Sequence, residues 1–215
     1  MKRSVRGDLL RRAVAEEAAR LMIEHGVDDF GVAKRKAAER FGVTEHAVLP
    51  KNAEIESALV DRQRLFNAGR HDADLVALRR AALAAMRLLS RFHPRLVGPV
   101  LSGTATTHAE VELHLFADSV ESVVLALLDA GIAHRLVTRR FKARSTRDEP
   151  VAYPALRLQI ADHGVEATVF PEVGLRQAPI SPVDGRPMRR ATAAEIENLL
   201  ATGPVSDQLR PDNGT

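Results

Sequence analysis

The residues whose types and spacing could support chemistry lie between Ser102 and Glu166. His108, Glu110, Glu112 and His114 stand at alternate positions. On an extended strand, alternate side chains leave from one face, so these four would share a surface while Val111, Leu113 and Leu115 enter a core. Two carboxylates so spaced on a rigid strand suit a hard divalent ion such as Mg²⁺, which takes oxygen ligands and leaves positions open for substrate phosphates. A strand with one solvated face gives the same alternation, its His and Glu simply meeting water. Alternate positions on one strand rarely close a tetrahedral site, which disfavours zinc. Just upstream, Ser102, Gly103 and Thr104 have turn chemistry and can offer backbone N–H groups and a hydroxyl to a phosphate. Glu166, on a later strand, can supply a third acid.

Two basic features flank these acids. Arg139, Arg140, Lys142, Arg144 and Arg147 form a run between predicted strands. It could neutralise a triphosphate or a polyanionic acceptor, or be a solvated hairpin tip. The loop SPVDGRPMRR, residues 181–190, places three Arg within five positions beside the turn signal Asp184-Gly185. It reads either as an anion grip or as a strap that packs the last helix onto the sheet.

The elements that must position these residues follow from periodicity. Apolar residues at helical spacing predict helices over residues 8–25, 30–41, from Asn52 onward with Ile55, Leu59, Leu65 and Phe66 inward, and over 72–92. Gly26 and Gly42 supply stops, and Thr44 could cap a short turn ending before Pro50. After His93-Pro94 the period changes. Residues 96–101 (LVGPVL) read as a buried strand, 111–117 as an alternating strand and 119–130 as a helix closed by Gly131. Residues 132–141, 155–161 and 165–170 are strand-like, with a hairpin turn at Asp162-His163-Gly164. A last helix is predicted near 193–200. The fold class is α+β: a helical region over residues 1–93, a small mixed-sheet domain over 94–201, and a mobile tail over 202–215.

Composition narrows the chemistry. The chain of 215 residues has no Cys, which excludes disulfides, thiolate metal sites and a cysteine nucleophile. It lacks an apolar run of the ~18 residues a membrane span needs, and its start is too charged for a secretory signal, so a cytoplasmic bacterial protein is expected. The net charge of +3 is a cancellation: residues 1–95 carry 19 basic and 13 acidic side chains, the remainder 12 and 15. Arg outnumbers Lys 26 to 5, a bias that genome composition alone could produce.

The stretch from Leu96 through LVGPVLSGTATTHAEVELHLFADSVESVVLALLDAGI is similar to the core of the DNA polymerase β-type nucleotidyltransferase superfamily, and within it to small bacterial antibiotic-nucleotidyltransferase-like proteins. The likeness covers about residues 75–171. It rests on an apolar strand, the Gly103-Thr104 turn, the Glu110-Val111-Glu112 pair, the helix ending near Gly131-Ile132 and Glu166 as the third acid. His108 stands two residues before the pair, as a His often does in antibiotic-modifying members.

The resemblance implies two Mg²⁺ ions at Glu110 and Glu112. It implies a nucleoside triphosphate bound near Ser102, Gly103, Thr104, Arg139 and Arg140, and Glu166 helping to activate an acceptor hydroxyl. The acceptor, whether small molecule, protein or nucleic acid, is not specified, and a homodimer is allowed. The chain departs from the family by Glu in place of both aspartates, by Gly-Thr in place of Gly-Ser, and by a short spacing from Gly103 to Glu110. An inactive fold kept as a binding module is therefore one alternative.

A second alternative lies in residues 11–60, which loosely resemble the front of TetR-type repressors through EHGVDDF and VAKRKAAERFGVT. There Lys34, Arg35 and Lys36 would meet phosphates and residues 44–48 would begin a recognition element, although Pro50 shortens it.

Overall fold

The computed structural model describes residues 5–27, 29–43, 49–66, 68–143 and 147–202. The predicted recognition element at 44–48, Arg144 and the tail from residue 203 lie outside the described residues. Helices come first: α1 (Val5–His25), α2 (Phe30–Arg40), α3 (Asn52–Phe66) and α4 (Ala68–Leu88). Strands β1 (Arg95–Val97) and β2 (Val111–Phe116) flank a short helix, α5 (Gly98–Ser102). Helix α6 (Val120–Asp129) precedes β3 (His134–Phe141), β4 (Val151–Ile160) and β5 (His163–Phe170), and α7 (Ala193–Ala201) closes the fold. None of the helices among the described residues is long and apolar enough to cross a membrane.

The architecture is α+β, as the change of period after His93-Pro94 implies. One mixed sheet has the order β1-β2-β5-β4-β3, in which only β2 and β5 run parallel. Its two faces differ in kind. Leu96, Val111, Leu113, Leu115, Leu156, Leu158, Val165, Ala167 and Val169 enter one apolar cluster with residues of α4, α6 and α7. A second cluster joins Val14, Ala18 and Met22 of α1 to Ala33 and Ala37 of α2 and Ile55 and Leu59 of α3. Helix α4 thus belongs with the sheet, its Leu75, Leu78, Ala82 and Met86, with Leu89 just past its end, joining the sheet's apolar cluster as the periodicity implies.

Several local expectations need correction. Residues 96–101 do not form one strand: β1 ends at Val97, and Pro99 sits in the first turn of α5, where its missing N–H costs nothing. The β4–β5 turn is at Ala161 and Asp162, both left-handed, one residue earlier than expected, so His163 and Gly164 already belong to β5. Leu65 is 77% exposed rather than buried. Helical spacing alone could not tell which end of an apolar stripe runs past the core.

Capping fixes the helix starts. The Asp29 side chain accepts from Val32 N at 2.7 Å, and Thr192 with Glu195 makes a reciprocal capping box at α7. Leu113→Ala, at a position with no exposure, should cost about 2–5 kcal/mol in urea unfolding. Leu65→Ala should change stability by no more than about 0.5 kcal/mol.

Candidate functional site

The second face of the sheet carries the polar residues, and its register can be read as rungs. One rung runs Arg135, Arg157, Glu166, Glu112, Val97 across all five strands. The next runs Val137, Ala155, Thr168, His114, Arg95. Glu112 and Glu166 are thus direct partners on adjacent parallel strands, with side chains on the same side. Glu110 lies just before β2 and its side chain covers Gly164 of β5, where a Cβ would stand 3.2 Å from the Glu110 Cγ. The three acids singled out by sequence therefore share one face.

Arginines from the two outer strands hold this acidic group. Glu166 is buried, and its two carboxylate oxygens receive Arg139 Nε at 2.6 Å and Arg157 Nε at 2.8 Å. Arg139 reaches Glu166 from β3 across the width of β4, which is small-sided between them at Ala155. Arg157 is shared: its Nε is also 3.5 Å from Glu110 Oε2. A carboxylate buried this far must be paired to be tolerated, and two guanidiniums supply that pairing. Arg140, expected to act beside Arg139, alternates to the opposite side of β3 and is not part of this cluster.

The turn and the acids are at opposite ends of α5. The Glu112 carboxylate lies against Gly98, the first residue of that helix, where a Cβ would meet Oε2 at 2.8 Å. Gly98 also has φ 69°, a left-handed conformation that disfavours any side chain. Gly103 ends α5 and faces Leu75 and Arg79 of α4. The backbone N–H groups of Gly103 and Thr104 both donate to Pro99 O, at 2.9 and 3.0 Å. Those two amides close the helix instead of presenting donors to a phosphate. The hydroxyls of Ser102 and Thr104 remain at the surface of the turn, 2.9 Å apart.

The loop from this turn to β2 is held by the N-terminal helices. Buried Gln63 of α3 donates from Nε2 to Ala105 O at 3.0 Å, and His71 Nε2 lies 3.0 Å from Gly103 O. Thr107 Oγ1 donates to Asp74 at 3.1 Å, and the His108 ring packs on Gly26. His108 therefore leaves the alternating row and becomes a contact between the loop and the end of α1. Of the α2 cations in the repressor-like reading, Arg35 and Lys36 are exposed, while burial lowers the Lys34 ammonium below its ordinary pKa.

His114 is neither a ligand nor solvent-facing. It is 1% exposed, with ring centroids of Phe170 and Phe141 at 4.6 and 5.4 Å. Its Nδ1 accepts from Arg190 Nε at 3.2 Å, so the ring proton resides on Nε2. Arg190 also donates to Gly174 O at 2.7 Å and stacks over Phe116. The loop over residues 171–190 thus acts as a strap. A small hairpin closes at Asp184-Gly185, Asn52 of α3 donates to Pro182 O, and Ala191 pairs with Leu96 on the sheet edge.

Among the described residues no three His, Asp or Glu side chains are arranged to hold a metal. Glu110 and Glu112 supply the oxygen donors a hard cation takes. Glu166 does not fit that part, because both its oxygens are engaged by guanidiniums. Sequence reasoning missed Arg157 and the His114–Arg190 pair. Both depend on cross-strand register or on the return of a distant loop, neither of which leaves a local signal. No protein-family model, curated protein or solved structure matches the chain.

Two outcomes follow from this geometry. Gly98→Ala should destabilise the fold by about 1–3 kcal/mol, because a left-handed alanine is strained and its methyl displaces the Glu112 carboxylate; urea unfolding measures it. Burial, and then the Arg190 charge, lowers the His114 pKa from 6.5 to about 3. Between those values the unfolded chain binds the extra proton, so stability falls as pH drops through 6.5 toward 3. The slope should approach about 1.4 kcal/mol per pH unit for this one group, and His114→Gln should remove it. An unchanged slope in the variant would show that His114 is not held neutral.

Proposed function

We propose that the protein is a nucleotidyltransferase-type enzyme that moves a nucleotidyl group from a nucleoside triphosphate to an acceptor hydroxyl. The observation that carries this reading is the cross-strand pairing of Glu112 with Glu166, with Glu110 beside them, on the one polar face of the sheet. The order of strand, turn, acid-bearing strand, helix, hairpin and third-acid strand agrees with the pattern the sequence resembles, with α5 inserted between β1 and the turn. A cytoplasmic setting, where nucleoside triphosphates are available, belongs to the same reading.

Glu110 and Glu112 are the residues that would hold Mg²⁺, with the nucleotide's own phosphates completing the shell. When bound, the metal supplies Lewis-acid polarisation at phosphorus and charge neutralisation on the departing pyrophosphate. The remaining work falls to the chain. The acceptor oxygen forms a bond to the α-phosphorus as the bond from that phosphorus to the α,β-bridging oxygen breaks; pyrophosphate leaves with the bonding pair, and the acceptor's proton passes to solvent water. Arg139 and Arg157 set positive charge beside the phosphates, where negative charge accumulates on the leaving group. The Ser102 and Thr104 hydroxyls add neutral donors at the far end of α5. The N-terminal helices fix the loop between turn and acids through Gln63, His71 and Asp74, which limits the reorganisation needed on binding.

Purified protein should release pyrophosphate from at least one nucleoside triphosphate in the presence of Mg²⁺. Glu112→Gln should lower that rate by roughly 10²–10³-fold with unfolding behaviour retained. Turnover unaffected by Glu112→Gln would remove the acids from the chemistry. Salt-sensitive duplex binding that survives Glu112→Gln but is lost when Lys34 and Lys36 become Ala would favour the repressor-like reading instead.

A further inference from the structure

One buried cation has no part in the polar face of the sheet or in the transfer reaction. Arg79 of α4 is 3% exposed. Its Nε donates to Val100 O of α5 at 3.3 Å. Among the described residues it makes no ion pair and no second hydrogen bond. A guanidinium carries five N–H donors, so the donors on its terminal nitrogens are left without an acceptor. A charge taken this far from water is tolerated when it is paired, and Arg79 is not. Burial, and then the charge of Arg189 on the strap, lower its pKa below the ordinary value. Both effects act against a cation that has no anion beside it.

The surroundings show where an anion would sit. His71, Leu75 and Arg79 recur at intervals of four along α4 and so face one way, toward the turn that ends α5. His71 Nε2 lies 3.0 Å from Gly103 O, and Arg79 Nη2 stands 3.8 Å from the place a Cβ on Gly103 would occupy. A side chain at 103 would lie against the guanidinium; glycine leaves it uncovered. On either side of Gly103 in the chain, Ser102 Oγ and Thr104 Oγ1 are 2.9 Å apart. These hydroxyls share one hydrogen bond, and the second O–H of the pair has only a long contact, 3.4 Å from Ser102 Oγ to Pro99 O. The carbonyls of Pro99 and Val100, which would repel an anion, are engaged by Gly103 N, Thr104 N and Arg79 Nε. Arg189 is left out of the donor set, because its charge also acts on Glu195.

We infer that the Arg79 guanidinium and the Ser102–Thr104 hydroxyl pair form a site for a phosphate group at the C-terminal turn of α5. A tetrahedral oxyanion can place two oxygens on the planar guanidinium fork and turn a third to the hydroxyls, which a flat carboxylate cannot. The ligand is inorganic phosphate or the end of a small phosphomonoester, which present the same oxygens. The site lies at the opposite end of α5 from Gly98 and the Glu112 carboxylate. It shares the two hydroxyls with the transfer reaction but does not rest on it.

The test is thermal unfolding of the full chain in EDTA, titrated with sodium phosphate against sodium chloride of equal ionic strength. Phosphate should raise the wild-type midpoint beyond chloride, in proportion to occupancy. Arg79→Met should abolish the rise, Arg79→Lys should keep part of it, and Ser102→Ala should weaken the apparent affinity about fivefold. Without phosphate, Arg79→Met should unfold at or above the wild-type midpoint, because methionine needs no counter-charge. The exposed Arg12→Gln on α1 controls for net charge and should respond as the wild type does. Glu112→Gln should also keep the phosphate response, so failure of this site and failure of the transfer reaction are read separately. Glycerol phosphate, titrated in parallel, separates the two sources. A response equal to that of phosphate assigns the end of a monoester, and no response assigns the free ion. No rise over chloride in the wild type would overturn the site. A wild-type response in Arg79→Met would do the same, leaving Arg79 only to hold α5. If Arg79→Met does not fold, the double variant Ser102→Ala with Thr104→Val decides, and an unchanged affinity there overturns the site. Acetate acting as strongly as phosphate would overturn the assignment of a tetrahedral ligand.

Discussion

The carboxylate of Glu166 sits in the middle of the sheet, buried, and that single charge constrains much of what surrounds it. Burying a carboxylate is tolerable only when it is paired and hydrogen-bonded, and here the pairing comes from two strands at once. Arg157 reaches it from the neighbouring strand, and Arg139 from the strand beyond. The ion pairs therefore tie β3, β4 and β5 together on the face that has no apolar layer. Removing one arginine would leave the buried carboxylate with a single guanidinium partner. The acids of β2 lie beside this cluster because β2 and β5 pair in parallel, with Glu112 opposite Glu166.

The rest of the fold can be understood as support for that face. The opposite side of the sheet is an ordinary apolar layer that buries α4, α6 and α7. At one end of the polar face the rings of Phe141 and Phe170 meet His114, Phe116 and Tyr153 pack on Phe170, and Arg190 of the strap lies over Phe116. At the other end the charges stay accessible. Helices α1 to α3 form their own core, yet α3 also holds the loop that leads into β2 through Gln63 and meets the strap through Asn52. The helical region thus touches both loops that border the polar face, which gives it a positioning role independent of any partner of its own.

Much of this was legible in the sequence, and the reasons for the remainder are physical. Period and punctuation located the helices and β2 to β5 to within a few residues, because amphipathic spacing and turn residues are local properties. LVGPVL misled because a short apolar run does not distinguish a strand from a buried helix turn, and Pro99 opens a helix here. Alternation put Glu110 and Glu112 on one surface, whereas Glu166 was legible only as a third acid on a later strand. What alternation could not supply was register: which residue faces Glu166 across β4 and β5 depends on the turn at Ala161 and Asp162. Arg157 was invisible for that reason, and Arg140 was grouped with Arg139 although adjacent strand positions face opposite ways. His114 looked like a member of a polar row, but its ring meets aromatic side chains from two other strands and an arginine from a loop far along the chain.

The polar rung of the sheet, with acids on β2 and arginines on β3 and β4, is proposed as the place where a nucleotide's phosphates bind. The most direct measurement is a crystal structure of the protein with Mg²⁺ and a nucleoside triphosphate analogue that cannot be cleaved between the α- and β-phosphates. The account predicts phosphate density over β3 and β4 in contact with Arg139 and Arg157, and a metal at Glu110 and Glu112. Phosphates seated elsewhere, with the Glu166 cluster untouched, would contradict it.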